Sequence, residues 1–440
     1  MKLSWFFDAL RTGRTAACVS AGAILLSSTA AVAATDIVLW HSLSPHNEDI
    51  FEDLVKDFNK EQDGVRVKLK SFDSEAAIET ALATEKKRDN RPQLVQLDDD
   101  RSPEEVAGRS YIQPLNTLLA KYPIKDAKWF LSDKNTFARD AKGRLLAFPY
   151  MVDIPVMYYN IDAFKKANLQ PTVPARDWAK LQAQLVTLAN NGSRKCPLTS
   201  DQPVSVNLEN LAAVNNQLYA TNRNGLTGKG KPAFAFDVLY IRHLSMMISW
   251  VKSELMVKPE FNANATKRFA NSECAVLFST SSNIGWFRDS SKLDFSLTGL
   301  PYYPAITPKP GNAFVGGSAL WVTSGHSKES DAASAKFLAW LAQPKRAAQW
   351  HQDTGFLPLT EQAFKETDKS FYKKLGDWRE LIAAYQKDPA ANGRGFRIDN
   401  YPQIRAMFHE TLEKALSGNQ TAPTALKTAA AQASKLMSKK

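Results

Sequence analysis

A single acid lies inside an apolar, proline-bounded segment near the middle of the chain. Pro149 and Pro155 bracket Tyr150–Ile154, in which Asp153 is the one charged residue. Each proline restricts the residue before it to extended backbone, so this segment is expected to leave one compact unit and enter another. A carboxylate at such a crossing can accept hydrogen bonds from a solute or hold a cationic group. The segment therefore predicts a ligand cleft between two lobes.

Polar residues also follow the first predicted strands. Trp40-His41-Ser42 ends the strand that starts at Asp36, and Asp98-Asp99-Asp100 follows the strand Leu94–Leu97. Helical patterns separate these strands, which predicts an α/β fold with a parallel sheet covered on both faces. Ligands of such sheets bind beyond the carboxyl ends of the strands. Trp40, His41 and Asp99 are therefore candidate ligand contacts.

The second half of the chain repeats the alternation of strands and helices. A strand at Ala275–Phe278 leads into the hydroxyl-rich run Ser279–Asn283, and a later strand-like segment, Phe314–Val322, contains Gly316 and Gly317. Glycine permits a positive φ and a close approach of backbone to a ligand, and a β-bulge explains the same pair equally well.

An enzyme is the rival interpretation of the polar residues. His41, Ser42 and Asp99 could be imagined as a nucleophile system, since such sets are recognised by geometry and not by chain order. Adjacent strand residues point to opposite faces, however, so His41 cannot serve Ser42 as a base. No G-x-S-x-G or H-E-x-x-H motif occurs. We expect no catalytic residues, no metal and no cofactor.

The amino terminus has the pattern of a secretory signal. Lys2, Arg11 and Arg14 precede the apolar run Ala16–Leu26, and small residues follow at Ala31–Ala34. The run is too short to span a bilayer, so residues 1–34 are predicted to be a signal peptide cleaved after Ala33 or Ala34, which places the mature chain in the periplasm.

The charge distribution bears on the expected binding partners, and the cysteine content bears on a possible disulfide. The formal net charge is +11, but Lys and Arg are scattered along the chain and the chain is exported, so nucleic acid is not an expected partner. Cys196 and Cys274 remain after cleavage of the signal; outside the cytoplasm they either form a disulfide or stay as two thiols, and the sequence does not decide between these.

Six segments carry a family resemblance, namely Trp40-His41-Ser42, Tyr158–Ala167, Gly316–Val322, Trp350–Gln352, Thr354–Pro358 and Pro402–Arg405. Together they resemble the periplasmic sn-glycerol-3-phosphate-binding proteins of ABC importers, which share the structural class of maltose-binding protein. The resemblance runs from about residue 37 to about 438. It implies a class II, two-lobed α/β binding protein with three interdomain crossings, no chemistry on the solute, and a monomer that works with two permease subunits and an ATPase.

The resemblance also implies a set of ligand contacts. The family's first-lobe acid corresponds to Asp99, its hydroxyl to Thr280 beside Ser281, its backbone donor to Gly317 and its cationic anchor to Arg397. Three positions depart from the family: its hinge serine is Asp153, a motif tyrosine is Phe356, and an early tyrosine falls at Ser74 or Glu75. Four aromatic residues are further candidates for stacking on a ligand, namely Trp40, Tyr150, Trp286 and Phe356.

The departures bear on the ligand. We expect sn-glycerol-3-phosphate or a glycerophosphodiester, and an oligosaccharide is the alternative. An ionised Asp153 cannot donate to a phosphate and repels it in a low-dielectric cleft. Asp153 could instead bind sugar hydroxyls, a cationic headgroup or Arg397, or only cap the hinge. The predicted lobes are residues 35–149 with 281–320, and residues 150–280 with 321–440.

Overall fold

The structure is a computed structural model that describes residues 34–85, 87, 90–98, 102–191, 196–228, 230–259 and 263–438. The predicted signal segment, apart from Ala34, lies outside these residues, and so does Asp99. Within the described ranges no helix is both long enough and apolar enough to span a bilayer.

In the described part of the chain, ten strands form two sheets. They are β1 (Thr35–His41), β2 (Val65–Ser71), β3 (Leu94–Asp98), β4 (Ile112–Gln113), β5 (Phe148–Asp153), β6 (Pro155–Asn160), β7 (Cys196–Ser200), β8 (Cys274–Thr280), β9 (Phe295–Thr298) and β10 (Gly316–Thr323). The first sheet has the order β2-β1-β3-β10-β4, with β5 also paired to β10, and the second has the order β7-β8-β6-β9. Each sheet organises one lobe of a two-lobed α/β protein.

Helices cover both sheets. They are α1 (Pro45–Glu61), α2 (Glu75–Thr84), α3 (Pro103–Ala107), α4 (Leu115–Lys121), α5 (Ile161–Lys166), α6 (Trp178–Asn190), α7 (Asn210–Val214), α8 (Thr221–Gly225), α9 (Val238–Lys252), α10 (Asn264–Ala270), α11 (Ile284–Asp289), α12 (Lys328–Leu341), α13 (Pro344–Thr354), α14 (Glu361–Glu366), α15 (Lys369–Tyr372), α16 (Trp378–Ala383), α17 (Tyr401–Leu416) and α18 (Ala422–Leu436). A π-helical turn, Ser205–Glu209, precedes α7.

Local sequence explains where the main helices begin. In α6, the Asp177 side chain accepts hydrogen bonds from the backbone N–H groups of Ala179 and Lys180, so the helix starts at Trp178. Its buried face carries Trp178, Leu181, Leu185 and Leu188, the four residues whose spacing predicts a single buried face. Capping and periodicity therefore agree, and the helix packs on the second sheet.

Strand pairing is parallel only in part. β1 pairs in parallel with β2 and β3, and β7 pairs in parallel with β8. β10 runs antiparallel to β3, β4 and β5, and β6 runs antiparallel to β8 and β9. The strand–helix alternation predicts wholly parallel sheets, but both sheets are mixed. The antiparallel strands belong to the segments that carry the chain between lobes, β5 to β6 and β9 to β10.

Sheet membership divides the chain at other residues than the predicted lobe boundaries. β5 ends at Asp153 in the first sheet and β6 begins at Pro155 in the second, so the crossing is at Ile154 and not at 149/150. β9 still belongs to the second sheet and all of β10 to the first, which differs from the segment 281–320 assigned to the first lobe. The sheet to which a strand belongs is decided by long-range pairing, such as that of Gly316 with Asp153, and the local hydrophobic pattern does not reveal this pairing.

The carboxyl-terminal part is also shared between lobes. α12 packs on β1 and α13 on α1, whereas α17 packs on α18 and α9. All of residues 321–440 are predicted from the sequence to lie in the second lobe. Part of this segment belongs to the first lobe, because the apolar faces of α12 and α13 complete the core under the first sheet.

The two cysteines form a disulfide. Cys196 and Cys274 are the first residues of β7 and β8 and are register partners, with their Cα atoms 4.4 Å apart. The alternative of two free thiols is therefore excluded in this structure. The bond joins the two parallel strands at the ends remote from Ser200 and Thr280.

Candidate functional site

A cavity of about 530 Å³ lies where the two sheets face each other. The first lobe contributes four residues to its lining, Asp98, Asp153, Gly316 and Gly317. The second lobe and its connecting segments contribute Pro155, Asp201, Gln202, Ser205, Glu209, Thr280, Phe314, Tyr401, Pro402, Arg405, Ala406 and His409. This size suits a small polar solute.

The first-lobe wall is made from strand ends. Asp98 and Asp153 are the last residues of β3 and β5, and Gly316 pairs with Asp153 at the start of β10. Gly317 has a φ of +86°, and a Cβ atom there would lie 2.3 Å from the carbonyl oxygen of Met151. Only glycine therefore fits between the two strands at the cavity surface.

A chain of hydroxyl groups holds the hinge acid. Ser282 Oγ donates to Asp153 Oδ2 at 3.0 Å, and Thr280 Oγ1 lies 2.7 Å from Ser282 Oγ. Asp153 itself is 7% exposed. The carboxylate at the lobe crossing is thus oriented by the turn that follows β8.

The second-lobe wall is made from interlocked side chains. Glu209, at the end of the π-helical turn, is 1% exposed and accepts from Tyr401 Oη at 2.6 Å and from Arg405 Nε at 3.1 Å. Burial would lower the pKa of Arg405, but attraction to Glu209 raises it above its ordinary value. A permanently charged guanidinium is therefore fixed in the cavity wall.

Two further titratable groups complete this wall. Burial raises the pKa of Asp201 to about 7, although Ser279 Oγ donates to Asp201 Oδ2 at 2.8 Å. Burial and the nearby Arg405 lower the pKa of His409 to about 4, so this imidazole is neutral at pH 7. The walls therefore combine four acids with one guanidinium among the described lining residues.

This arrangement suits binding through hydrogen bonds. No group of three or more histidine, cysteine, aspartate or glutamate residues in the described ranges is placed to hold a metal ion. Carboxylates and hydroxyls facing a small cavity can accept from, and be bridged by, the hydroxyl groups of a solute. The lining residues from two lobes indicate that a solute bridging them would favour lobe closure.

The sequence matches a family model described as "Bacterial extracellular solute-binding protein" over residues 53–376. The chain is a bacterial extracellular solute-binding protein. Curated relatives agree over nearly the whole length. The sn-glycerol-3-phosphate-binding periplasmic protein UgpB of Rhizobium meliloti is 32% identical over 401 residues, covering 90% of this chain and 92% of the relative. UgpB of Escherichia coli K12 is 30% identical over 433 residues, covering 96% and 97%.

Solved structures support the fold of this solute-binding protein. UgpB from Mycobacterium tuberculosis in complex with glycerophosphocholine has a TM-score of 0.72 and 18% identity, covering 92% of this chain and 99% of that one. Maltose-bound MalE3 of T. maritima also has a TM-score of 0.72, with 16% identity, covering 92% and 100%. The family match and the curated relatives make the protein the substrate-binding component of an ABC importer. The solved structures show that it has the two-lobed fold of the maltose-binding-protein class.

Three of the predicted contact residues meet in the cavity of the solute-binding protein. Asp153, Thr280 and Gly317 line it together. Asp99 lies outside the described residues, and its neighbour Asp98 lines the cavity. Glu75 lies behind this wall, where its Oε1 accepts from the backbone N–H of Asp98 at 2.8 Å.

The other predicted contacts lie elsewhere. Ser281 is buried in the hinge, where its N–H donates to Ile154 O at 2.9 Å. Arg397 pairs with Glu104 and donates to Arg139 O at 2.6 Å, so it ties the segment before α17 to the first lobe. These residues are not among the cavity lining.

The predicted aromatic contacts are mainly core residues. Trp40 lies 5.0 Å from the Phe72 ring, and Phe356 stacks on Trp350 at 5.5 Å. Tyr150 stacks on the same indole, and Trp286 lies at a separate surface pocket. His41 is 1% exposed, and burial lowers its pKa. Phe314 and Tyr401 are the aromatic residues that line the cavity in their place.

Sequence reasoning missed most of the second wall. Asp201, Glu209, Arg405 and His409 line the cavity but were not among the predicted contacts. A signal did exist for the residues of α17: Tyr401, Arg405 and His409 are spaced by four and therefore share one helix face. Nothing in the sequence showed which face of α17 turns toward the cavity.

Proposed function

We propose that this protein captures a glycerophosphodiester or sn-glycerol-3-phosphate in the periplasm and delivers it to a membrane permease. The observation that carries the proposal is the Arg405 guanidinium, which is held by Glu209 in the wall of an interlobe cavity of about 530 Å³. A guanidinium suits a phosphate oxygen. The names of the relatives that match over nearly the whole chain support the same solute class.

The charges of the cavity favour the diester. A phosphate monoester approaches two negative charges near neutral pH and a diester carries one, while Asp98, Asp153, Asp201 and Glu209 all line the cavity. Repulsion between like charges in a partly dry cleft is stronger than in water. A glycerophosphodiester is therefore expected to bind more tightly than sn-glycerol-3-phosphate.

An oligosaccharide is the second candidate. The observation in its favour is the acidic lining, because carboxylates accept hydrogen bonds from sugar hydroxyls, and Phe314 and Tyr401 offer rings for stacking. A neutral sugar would also avoid repulsion by the four acids. It leaves the guanidinium of Arg405 with no anionic partner in the ligand.

Calorimetric titration separates the two candidates. The ligands are glycerophosphocholine, sn-glycerol-3-phosphate and maltose, each with the wild-type protein and with Arg405→Lys. The variant keeps the charge but loses the planar fork, so it should weaken glycerophosphocholine about tenfold and leave maltose within about twofold. Arg66→Lys, on an exposed position of β2, is the matched control. Tight binding of maltose alone would refute the phosphate proposal.

The same samples test whether the protein acts on its solute. We propose that it is a binder without catalytic activity: the solute should raise the melting temperature and be recovered unchanged after denaturation. Appearance of free glycerol or choline would contradict this. We propose that the protein is a monomer and that its partners are two permease subunits and an ATPase. Delivery of the solute to these partners is measured as stimulation of ATP hydrolysis by the loaded protein in reconstituted vesicles.

Export to the periplasm is the remaining part of the proposal. The expected mature amino terminus is Ala34 or Thr35, after removal of the predicted signal peptide. Amino-terminal sequencing of protein released by osmotic shock checks it. Full-length protein in the cytoplasmic fraction would contradict export.

A further inference from the structure

We infer that the hinge side of the cavity, formed by Asp153, Asp201 and the segment Ser279–Ser282 at the end of β8, binds hydroxyl groups of the ligand and excludes its phosphate. This inference rests on the proposed function and adds an orientation to it. The glycerol hydroxyls lie against the two aspartates, and the phosphate lies toward Arg405.

Each aspartate comes from a different lobe. Asp153 is the last residue of β5, in the first sheet, and Asp201 follows β7, in the second sheet. Both line the cavity. They lie close enough that the charge of Asp153 contributes to raising the pKa of Asp201. A ligand group that reaches both carboxyls therefore bridges the two lobes beside the hinge.

Three hydroxyl groups beside the two aspartates already donate their protons within the protein. Ser279 Oγ donates to Asp201 Oδ2 at 2.8 Å, and Ser282 Oγ donates to Asp153 Oδ2 at 3.0 Å. Because Ser282 has spent its one proton, Thr280 must donate in the 2.7 Å contact between their hydroxyls. Ser279 and Ser282 are thus held directly by the carboxylates, and Thr280, the one of the three that lines the cavity, is held through Ser282.

The backbone donors at the crossing are committed as well. The N–H of Ser281 donates to Ile154 O at 2.9 Å, and the N–H of Ile154 donates to Ser281 Oγ at 3.4 Å. Asp201 Oδ1, in contrast, is buried with no hydrogen-bond partner among the described residues. The hinge side is therefore rich in acceptors and poor in donors, which suits a ligand hydroxyl and not a phosphate oxygen.

The other titratable groups of the cavity lie on different elements. Glu209 is bound to Tyr401 and Arg405, and His409 on α17 has a pKa of about 4 and keeps its charge state between pH 6 and pH 8. In that range Asp201 changes its charge, since its pKa is about 7. The remaining lining carboxylate, Asp98, ends β3 on the first-lobe wall. A change in affinity across this range is expected to follow the ionisation of Asp201.

Titration of Asp153→Asn and Asp201→Asn with glycerophosphocholine and sn-glycerol-3-phosphate tests the orientation. At pH 8, where Asp201 is ionised, each variant should weaken both ligands about tenfold and by similar factors, because a charged acceptor of a hydroxyl is lost while the phosphate lies elsewhere. Asp53→Asn, at a position exposed on α1, is the matched control. Tighter binding by the variants, larger for the monoester than for the diester, would overturn the inference.

A measurement on the wild-type protein keeps the test independent of folding of the variants. Glycerophosphocholine has the same charge at pH 6 and pH 8, so its affinity should rise severalfold with pH as Asp201 ionises and becomes a better acceptor. A fall in affinity over this range would place the phosphate beside Asp201 and overturn the inference.

The outcome also separates this inference from the proposed function. If neither phosphate ligand binds the wild-type protein and maltose does, the proposed solute is wrong. The two variants are then titrated with maltose. Tenfold weakening would support hydroxyl recognition at the hinge side, and unchanged maltose affinity would refute it.

Discussion

The two walls of the cavity are built in different ways. The first-lobe wall consists of strand ends, with Asp98, Asp153 and the Gly316–Gly317 pair set by backbone register. The second-lobe wall consists of side chains that hold one another, with Glu209 bound by Tyr401 and Arg405. The first wall therefore depends on backbone fit and the second on a buried charge network. Substitutions should affect the two walls by different mechanisms.

The largest effect is expected from Glu209→Gln in the second wall. The variant leaves the half-buried Arg405 without its counter-charge, and breaking a buried ion pair costs about 3–5 kcal/mol, reduced to about 2–3 kcal/mol here because Arg405 keeps partial contact with solvent. Denaturant unfolding measures the loss. Glu413 lies on α17, as Arg405 does, and forms an exposed pair with Lys258; Glu413→Gln is the control and should cost less than about 0.5 kcal/mol. Equal losses of unfolding free energy in the two variants would mean that the buried pair stabilises the protein no more than the exposed pair does.

Gly317→Ala tests the backbone character of the first wall. The new Cβ atom would lie 2.3 Å from Met151 O at a φ of +86°, so β10 must move away from β5. Strain and clash together should cost about 2 kcal/mol. Gly418→Ala, with a φ of +77° but open space around its Cβ position, isolates the conformational part and should cost about 1 kcal/mol. If both variants lose the same stability, close strand packing at the cavity is not required.

The pH dependence of stability reports on Asp201 in the second wall. Asp201 has a pKa of about 7 in the folded protein and about 3.8 ordinarily, so the folded state holds this proton to higher pH than the unfolded state. Its contribution to stability is complete below about pH 4 and is lost as the pH rises toward 7.

A shift of about three pKa units corresponds to about 4 kcal/mol, and the partial exposure of Asp201 to solvent reduces this, so Asp201→Asn should change stability little at pH 4 and raise it by about 1–2 kcal/mol at pH 8. Thermal unfolding at both values measures this. The exposed Asp162→Asn should show no such difference. A gain of equal size at pH 4 and pH 8 would show that Asp201 does not carry the effect.

The smallest effect on binding is expected from Trp40→Phe. Trp40 is 6% exposed and packs on Phe72 behind the first wall, so the variant should lower stability by about 1 kcal/mol through lost packing and leave solute affinity within about twofold. Calorimetry checks the affinity, with Trp286→Phe as the comparison at a surface position. A tenfold loss of affinity would contradict this and indicate that Trp40 contacts the solute.

The same contrast explains what the sequence could predict. The end of β3 was predictable, because a hydrophobic run that stops at an acid marks the carboxyl end of a strand. Thr280 and Gly317 followed from the family resemblance, and both line the cavity with Asp153. The second wall depends on which helix faces turn inward. Arg397 and Arg405 both lie near the start of α17, and only tertiary packing decides that Arg405 lines the cavity while Arg397 bonds to the first lobe.

Lobe boundaries failed for a related reason. The prolines at 149 and 155 indicated a crossing, but β5 still pairs with β10 up to Asp153. Register between strands more than 150 residues apart is set by the fit of two segments to each other, and no local pattern in either segment encodes it. The fold class needs only periodicity and order, so it was predictable.

The disulfide has a practical consequence for anyone preparing this protein. Cys196 and Cys274 fasten one end of β7 to β8, and the opposite ends of these strands carry Asp201 and Thr280. Recombinant material made without a leader, in a reducing cytosol, would contain thiols at this position, and β7 and β8 would then be joined by backbone pairing and by contacts such as Ser279 with Asp201, without the covalent link. Affinities from such batches should be compared only after the oxidation state of each batch has been assayed.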